Sequence, residues 1–206
     1  MEYKFSTNTN LQLDYDAYTN EPQIGQLQQV IDNTNPLQLR TGNPDLDQSF
    51  TNELRLRFKS NNPDTDKNWN IFAQSRFVDN FISNSTLIAS EPTEIQDGII
   101  LETGSQLNKP VNLDGFKDFR SWFSYGMPLG FIKSNFNINA GLGFTQRPGQ
   151  VNDQIGFNNS SRLSTGFSLS SNISDQVDFN IWSRSSFNEV NNSLNSSLNS
   201  KFFQQR

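Results

Sequence analysis

The residues of this 206-residue chain with the clearest capacity for chemistry are pairs of carboxylates two positions apart. Asp14 and Asp16 share one parity, and two carboxylates on one strand face are the arrangement of a general acid and base. Asp64 and Asp66, in NPDTDKN, carry oxygens suited to calcium, which takes several loop ligands. Neither pattern is complete. The Gly and downstream Glu of an EF-hand loop are missing, so a solvated turn is expected around Asp64. The chain has no His, which removes the commonest general base and the commonest metal ligand. Its many serines therefore have no Ser-His-Asp triad, and G-x-S-x-G does not occur. No Cys means no thiolate site and no disulfide. The expectation is no catalytic residue, no cofactor and no metal, with Asp14 and Asp16 lining a wet lumen or its rim. Arg55, Arg57 and Lys59 form a basic stripe, read as solvated or as meeting an anionic surface or solute. The sequons at Asn84, Asn159 and Asn172 are what chance supplies in an Asn/Ser-rich chain.

The elements that hold these residues alternate with a period of two, the mark of a strand with one apolar and one polar face. Phe136, Ile138, Ala140, Leu142 and Phe144 point one way, and Asn135, Asn137, Asn139, Gly141 and Gly143 the other. Phe119, Phe123, Tyr125 and Met127 are in phase on the preceding strand, and Pro128 and Gly130 mark a short turn between them. Gly141 and Gly143 would either admit a closely packed element or relieve strand curvature. Met1 to Ala17 reads as a first hairpin turning at Thr7 to Asn10. Phe50 to Lys59 and Trp69 to about Ile88 form a second, turning at Asn61 to Lys67. The third, from Leu113 to Arg147, contains the Phe119–Phe144 stretch. Phe157 to Leu169 and Val177 to Phe187 form a fourth, turning at Asn172 to Asp175, and Lys201 to Arg206 begins a ninth strand.

Between hairpins lie longer polar segments: Thr19 to Gln48, Ser90 to Asn112, Pro148 to Ile155, and Asn188 to Asn199. A short helical turn is expected at Leu27, Val30 and Ile31. Short and long connections alternate, and the apolar residues gather beside the short ones, as in outer-membrane barrels. Trp69, Trp122, Tyr125 and Trp182 suit aromatic girdles, although Trp122 and Trp182 have the parity of the polar face.

Composition agrees with a two-faced wall. Hydrophobic residues are 33% and mean hydropathy is -0.66, yet there are 18 Phe, too many for a disordered chain. A net charge of -5 argues against nucleic acid as a partner. No run approaches a membrane helix. Met1 leads directly into EYKFS with no secretory signal, so the chain reads as an internal piece of a longer one.

The string TNEPQIGQLQQVIDNTNPLQLRTGNPDL, from Thr19, resembles a segment of the large Bacteroidota outer-membrane β-barrel proteins, relatives of TonB-dependent receptors. The matching residues are Thr19, Pro22, Gln26, Leu27, Val30, Asp32, Pro36 and Leu37, then Gly42, Asn43, Pro44 and Leu46. SYGMPLGFIKSNFNINAGLGFTQRPGQVN and LSSNISDQVDF are similar to that family's strand–turn–strand segments. The resemblance covers nearly the whole chain. It implies a longer parent with a plug and about 22 strands.

The expectation is therefore all-β: an antiparallel meander of about 8–9 strands over residues 1–206, forming part of a transmembrane barrel without plug or closing strands. It would sit in the outer membrane and wall a receptor or transporter, with Thr19–Gln48 and Ser90–Asn112 as ligand-contact loops. Its partners would be outer-membrane lipid, a plug domain of the parent chain and a solute. The alternative is a secreted β-sandwich or adhesin-like module, whose apolar face packs inward against a second sheet.

Overall fold

The computed structural model describes residues 1–96, 98–171 and 178–206. Its strands, in chain order, are β1 (Glu2–Ser6), β2 (Thr9–Asn20), β3 (Gln38–Arg40), β4 (Ser49–Asn62) and β5 (Lys67–Asp79). Then come β6 (Phe81–Ile88), β7 (Thr93–Gln96), β8 (Ile99–Leu101), β9 (Gln106–Leu113) and β10 (Phe116–Leu129). The last are β11 (Ser134–Val151), β12 (Gln154–Ser171), β13 (Asn180–Asn192) and β14 (Ser200–Gln205). A short helix, α1 (Ile24–Leu27), follows β2.

Nine of these strands form one antiparallel meander in the order β1-β2-β4-β5-β10-β11-β12-β13-β14, as the alternation predicts. Register carries the alternation across the sheet. Leu13, Leu56, Ala73, Ser121, Leu142, Leu163, Phe187 and Phe203 follow one another as cross-strand neighbours on the apolar face. One residue along, Asp14, Arg55, Gln74, Arg120, Gly143, Arg162 and Asn188 do the same on the polar face. The sheet is open, with β1 and β14 as its edges. The other sheet among the described residues is the two-stranded β7–β8 pair, of four and three residues, too small to be the second layer a sandwich requires.

Turn chemistry sets where strands reverse. Asn62 accepts the amides of Asp64 and Thr65 at 2.9 and 3.2 Å, closing the β4–β5 hairpin. The Pro148–Ile155 segment is not a medium loop. β11 and β12 run to a two-residue turn at Asn152 (φ 46) and Asp153 (φ 63), both left-handed, as Asn and Asp tolerate in hairpin turns. Pro148 hides this strand in the sequence, and the ladder explains how it is accommodated. Phe157, its partner on β12, bonds with Ser193 through both its N–H and its C=O. Pro148 therefore faces β12 at a pair that needs no amide hydrogen.

Other boundaries also move. The helical turn forms at Ile24–Leu27, whereas Gln28 is extended and Val30 is exposed. β13 continues to Asn192, into the segment expected as loop. The return strand expected to reach Ile88 breaks at Asn80 (φ 53). The turn expected at Asn172 to Asp175, the start of the return strand at Val177, and the sequon Asn172 lie outside the described residues.

The break at Asn80 is matched by a reversal of backbone sign at Gly115 (φ 99) on the partner strand. Beyond it the β5–β10 hairpin continues as β6–β9 but bends off the meander. A Cβ on Gly115 would come 2.9 Å from the Phe157 ring, so glycine is needed both for its φ and for space. β9 then takes β3 as a parallel neighbour, and β6 takes the β11 tip at Ser85 and Thr86. The two long segments are thus loops with short elements of their own, α1, β3, β7, β8 and β9, that fold into a cap. Leu39, Ala89 and Leu101 are buried at its centre, with Ile31, Ile95, Ile99 and Leu107 packed around them. The wall, by contrast, leaves Leu142 53% and Phe187 55% exposed.

Candidate functional site

The apolar face of the wall forms a band. On β10 it runs from Phe119 to Met127 and on β11 from Phe136 to Phe144, about nine residues tall, which matches the ~9–11 residues of a crossing strand. Trp69 marks its short-turn end, with its ring 4.2 Å from that of Tyr125 and 5.7 Å from that of Phe123. Glu189 and Lys201, paired at 2.9 Å, mark the other boundary on β13 and β14. An amphipathic ring above an apolar belt is how interfacial girdles are built.

The polar face carries the charge. From the row of Asn10 to the row of Asp16, between β2 and β13, seven cations face four carboxylates. The carboxylates are spoken for. Asp16 and Glu53 pair with Arg55, Glu53 at 3.4 Å. Asp118 is buried, 3.0 Å from Arg120, and accepts the Thr145 hydroxyl at 2.8 Å. Asp14 accepts the Gln12 amide at 2.8 Å. Asp14 and Asp16 therefore share a face without acting as a pair. The cations are less matched. Arg57 lies 6.0 Å from the Phe72 ring and Arg76 5.4 Å from that of Phe116. Among the described residues, Lys59, Arg162 and Arg184 have no carboxylate partner. No group of three or more Asp or Glu able to hold a metal occurs among the described residues, and Asp64 and Asp66 sit in the β4–β5 turn.

Trp122 and Trp182 stand on this polar face, beside Phe72 and Ser168 respectively, as their parity predicts. Gly141 and Gly143 do too. A Cβ on Gly141 would come 2.9 Å from Ser164 Oγ, while Gly143 has 3.8 Å to its nearest neighbour, Arg162 Cβ. Only the first is closely packed.

The Thr19–Leu46 string acquires a structural meaning in the cap. Gly42 donates to Gln28 O at 3.0 Å, and a Cβ there would come 2.3 Å from that oxygen, so no larger residue fits. Asn43, buried, donates to Pro110 O at 3.0 Å and accepts the Asp45 amide at 3.2 Å. Asn112 donates to Asp47 O at 2.9 Å and to Asn80 O at 2.8 Å. These bonds tie the first long segment to the second, at the kink itself. Sequence reasoning found the string but not its partners, which lie more than sixty positions away. In the same segment, the Thr34 hydroxyl and then its amide hold the Asp32 carboxyl below its ordinary range.

The two faces identify the object. A single antiparallel layer with an apolar belt on one face and charge on the other suits the wall of a membrane barrel, where every backbone group at bilayer depth must pair within the sheet. No curated protein matches the chain. With residues 1–205 matching its family model, the chain belongs to the outer membrane protein beta-barrel family, and it is a barrel wall of the outer membrane.

Proposed function

We infer that residues 1–206 are a partial barrel domain of a TonB-dependent-type receptor, of the kind found in Bacteroidota. The apolar band meets outer-membrane lipid, and the polar face surrounds a lumen that holds a plug domain of the parent chain and passes a solute. The segments Thr19–Gln48 and Ser90–Asn112 carry ligand capture through the cap they build, because function concentrates on elements held by a rigid scaffold. No nucleic acid is a partner, and no catalytic, cofactor or metal residue is assigned; the family is typically non-enzymatic.

One observation supports this most strongly. The β5–β10 hairpin continues beyond the band as β6–β9 into the cap, and on the charged face cations outnumber carboxylates among the described residues. A passive wall needs neither. The test is uptake in cells carrying the gene in its natural context. Deleting the gene should abolish uptake of a solute whose entry also stops when the inner-membrane proton gradient is collapsed. Uptake indifferent to the gradient, or intact protein in the soluble periplasmic fraction, would overturn the reading.

A further inference from the structure

The polar face holds a cleft that the wall function does not require. It has a volume of about 370 Å3 and is lined by Asn10, Gln12, Arg57, Lys59, Phe72 and Trp122. Three observations set its chemistry. First, both its charges are positive and no carboxylate lines it. Asp14, two positions from Gln12 on the same face, is engaged by the Gln12 amide at 2.8 Å. Second, Arg57 is held 6.0 Å from the Phe72 ring, which orders the guanidinium without neutralising it. Third, Trp122 is 43% exposed on a wet face, which is a costly place for an indole. Its cross-strand neighbour on β11 is Gly141, so no side chain covers it from that side.

We propose that this cleft binds a small organic anion with a flat ring, of the aromatic carboxylate class. The Arg57 guanidinium offers a planar fork to one carboxylate, the Lys59 ammonium adds a point charge, and the Trp122 indole stacks on the ring. Asn10 and Gln12 serve the remaining polar edge. The chain as a whole is an anion, with net charge -5, so attraction of an anionic solute is a property of this face alone. The proposal rests on the polar face being the lumen side. The titration below reads binding regardless of transport, and the uptake test above reads transport regardless of this cleft.

The experiment is calorimetric titration of the full chain, folded in detergent, with benzene-1,3,5-tricarboxylate. Inorganic phosphate supplies charge without a ring, and benzamide a ring without charge. The tricarboxylate should bind tightest of the three. R57Q/K59Q should weaken it at least tenfold and W122L severalfold, while R184Q, on the same face but outside the cleft, should leave it unchanged. On the unsubstituted chain, raising salt from about 0.05 to about 0.5 M should weaken binding severalfold, because screening shortens the reach of both cations. This last measurement decides the matter even if R57Q/K59Q fails to fold. Equal affinity for benzamide, indifference to salt, absence of binding, or equal loss in R184Q would overturn the proposal.

Discussion

The wall and the cap use the same residue types and solve opposite problems. In the cap, Leu101 is fully buried and Leu39 is 3% exposed, so its apolar side chains find one another. In the wall, Leu142 and Leu163 are cross-strand neighbours and both remain exposed, on the face proposed to meet lipid. The cap is a small globule whose stability comes from the hydrophobic effect and from packing. The wall takes its stability from ladder hydrogen bonds that bilayer hydrocarbon makes obligatory. Hydropathy alone therefore does not say which leucines form a core.

Substitutions separate the two. Leu101→Ala should have the largest effect, about 2–5 kcal/mol confined to the cap. Limited proteolysis should then cut between residues 90 and 105 while the band stays protected; cutting in the band as well would mean that the two regions fold as one. Leu142→Arg, in the band one row in from Phe144, should cost about 2 kcal/mol and reduce membrane insertion, as read by yield in the outer-membrane fraction. Gly143→Ser, one residue along and on the other face, should insert normally. If both insert equally, the assignment of faces is wrong.

Asn43→Ala should cost about 1–3 kcal/mol, because it leaves Pro110 O without its donor and opens the turn at Asp45. Hydrogen exchange should rise at the β3–β9 contact and not along β10–β11. The smallest effect concerns pH. The Thr34 bonds lower the Asp32 carboxyl in the folded state, so its contribution is present above the ordinary value of 3.8 and is lost as pH falls below it. Cap proteolysis should therefore increase slightly more on acidification in the native chain than in Asp32→Asn.

Much of the wall was legible beforehand, for a local reason. Side chains alternate with every residue, so Phe136 to Phe144 declare their face without reference to any partner. The nine-strand meander, the β4–β5 turn and the polar-face position of Trp122 follow from that. The cap was not legible. β3 pairs with β9 at Gln38 and Gln106, and β6 pairs with the β11 tip at Ser85 and Gln150. β3, with three residues, is too short to show a period, and the pairing of β6 and β9 away from the meander is chosen by distant chain closure. The tight turn at Asn152–Asp153 was masked by Pro148, which usually ends a strand, and only the Phe157–Ser193 bonds make it harmless there.

The sequence by itself determined that the protein has two chemically different faces, where most strands turn, and which residues are available for each face. Tertiary structure decided the rest. It turned two polar segments into a cap with its own core, and it paired three of the four carboxylates of the polar face with Arg55 and Arg120. What remains on that face is cationic although the chain as a whole is anionic. The physical reason is that side-chain direction is a property of each residue's own backbone, whereas a charge's partner depends on the register of strands far apart in the chain.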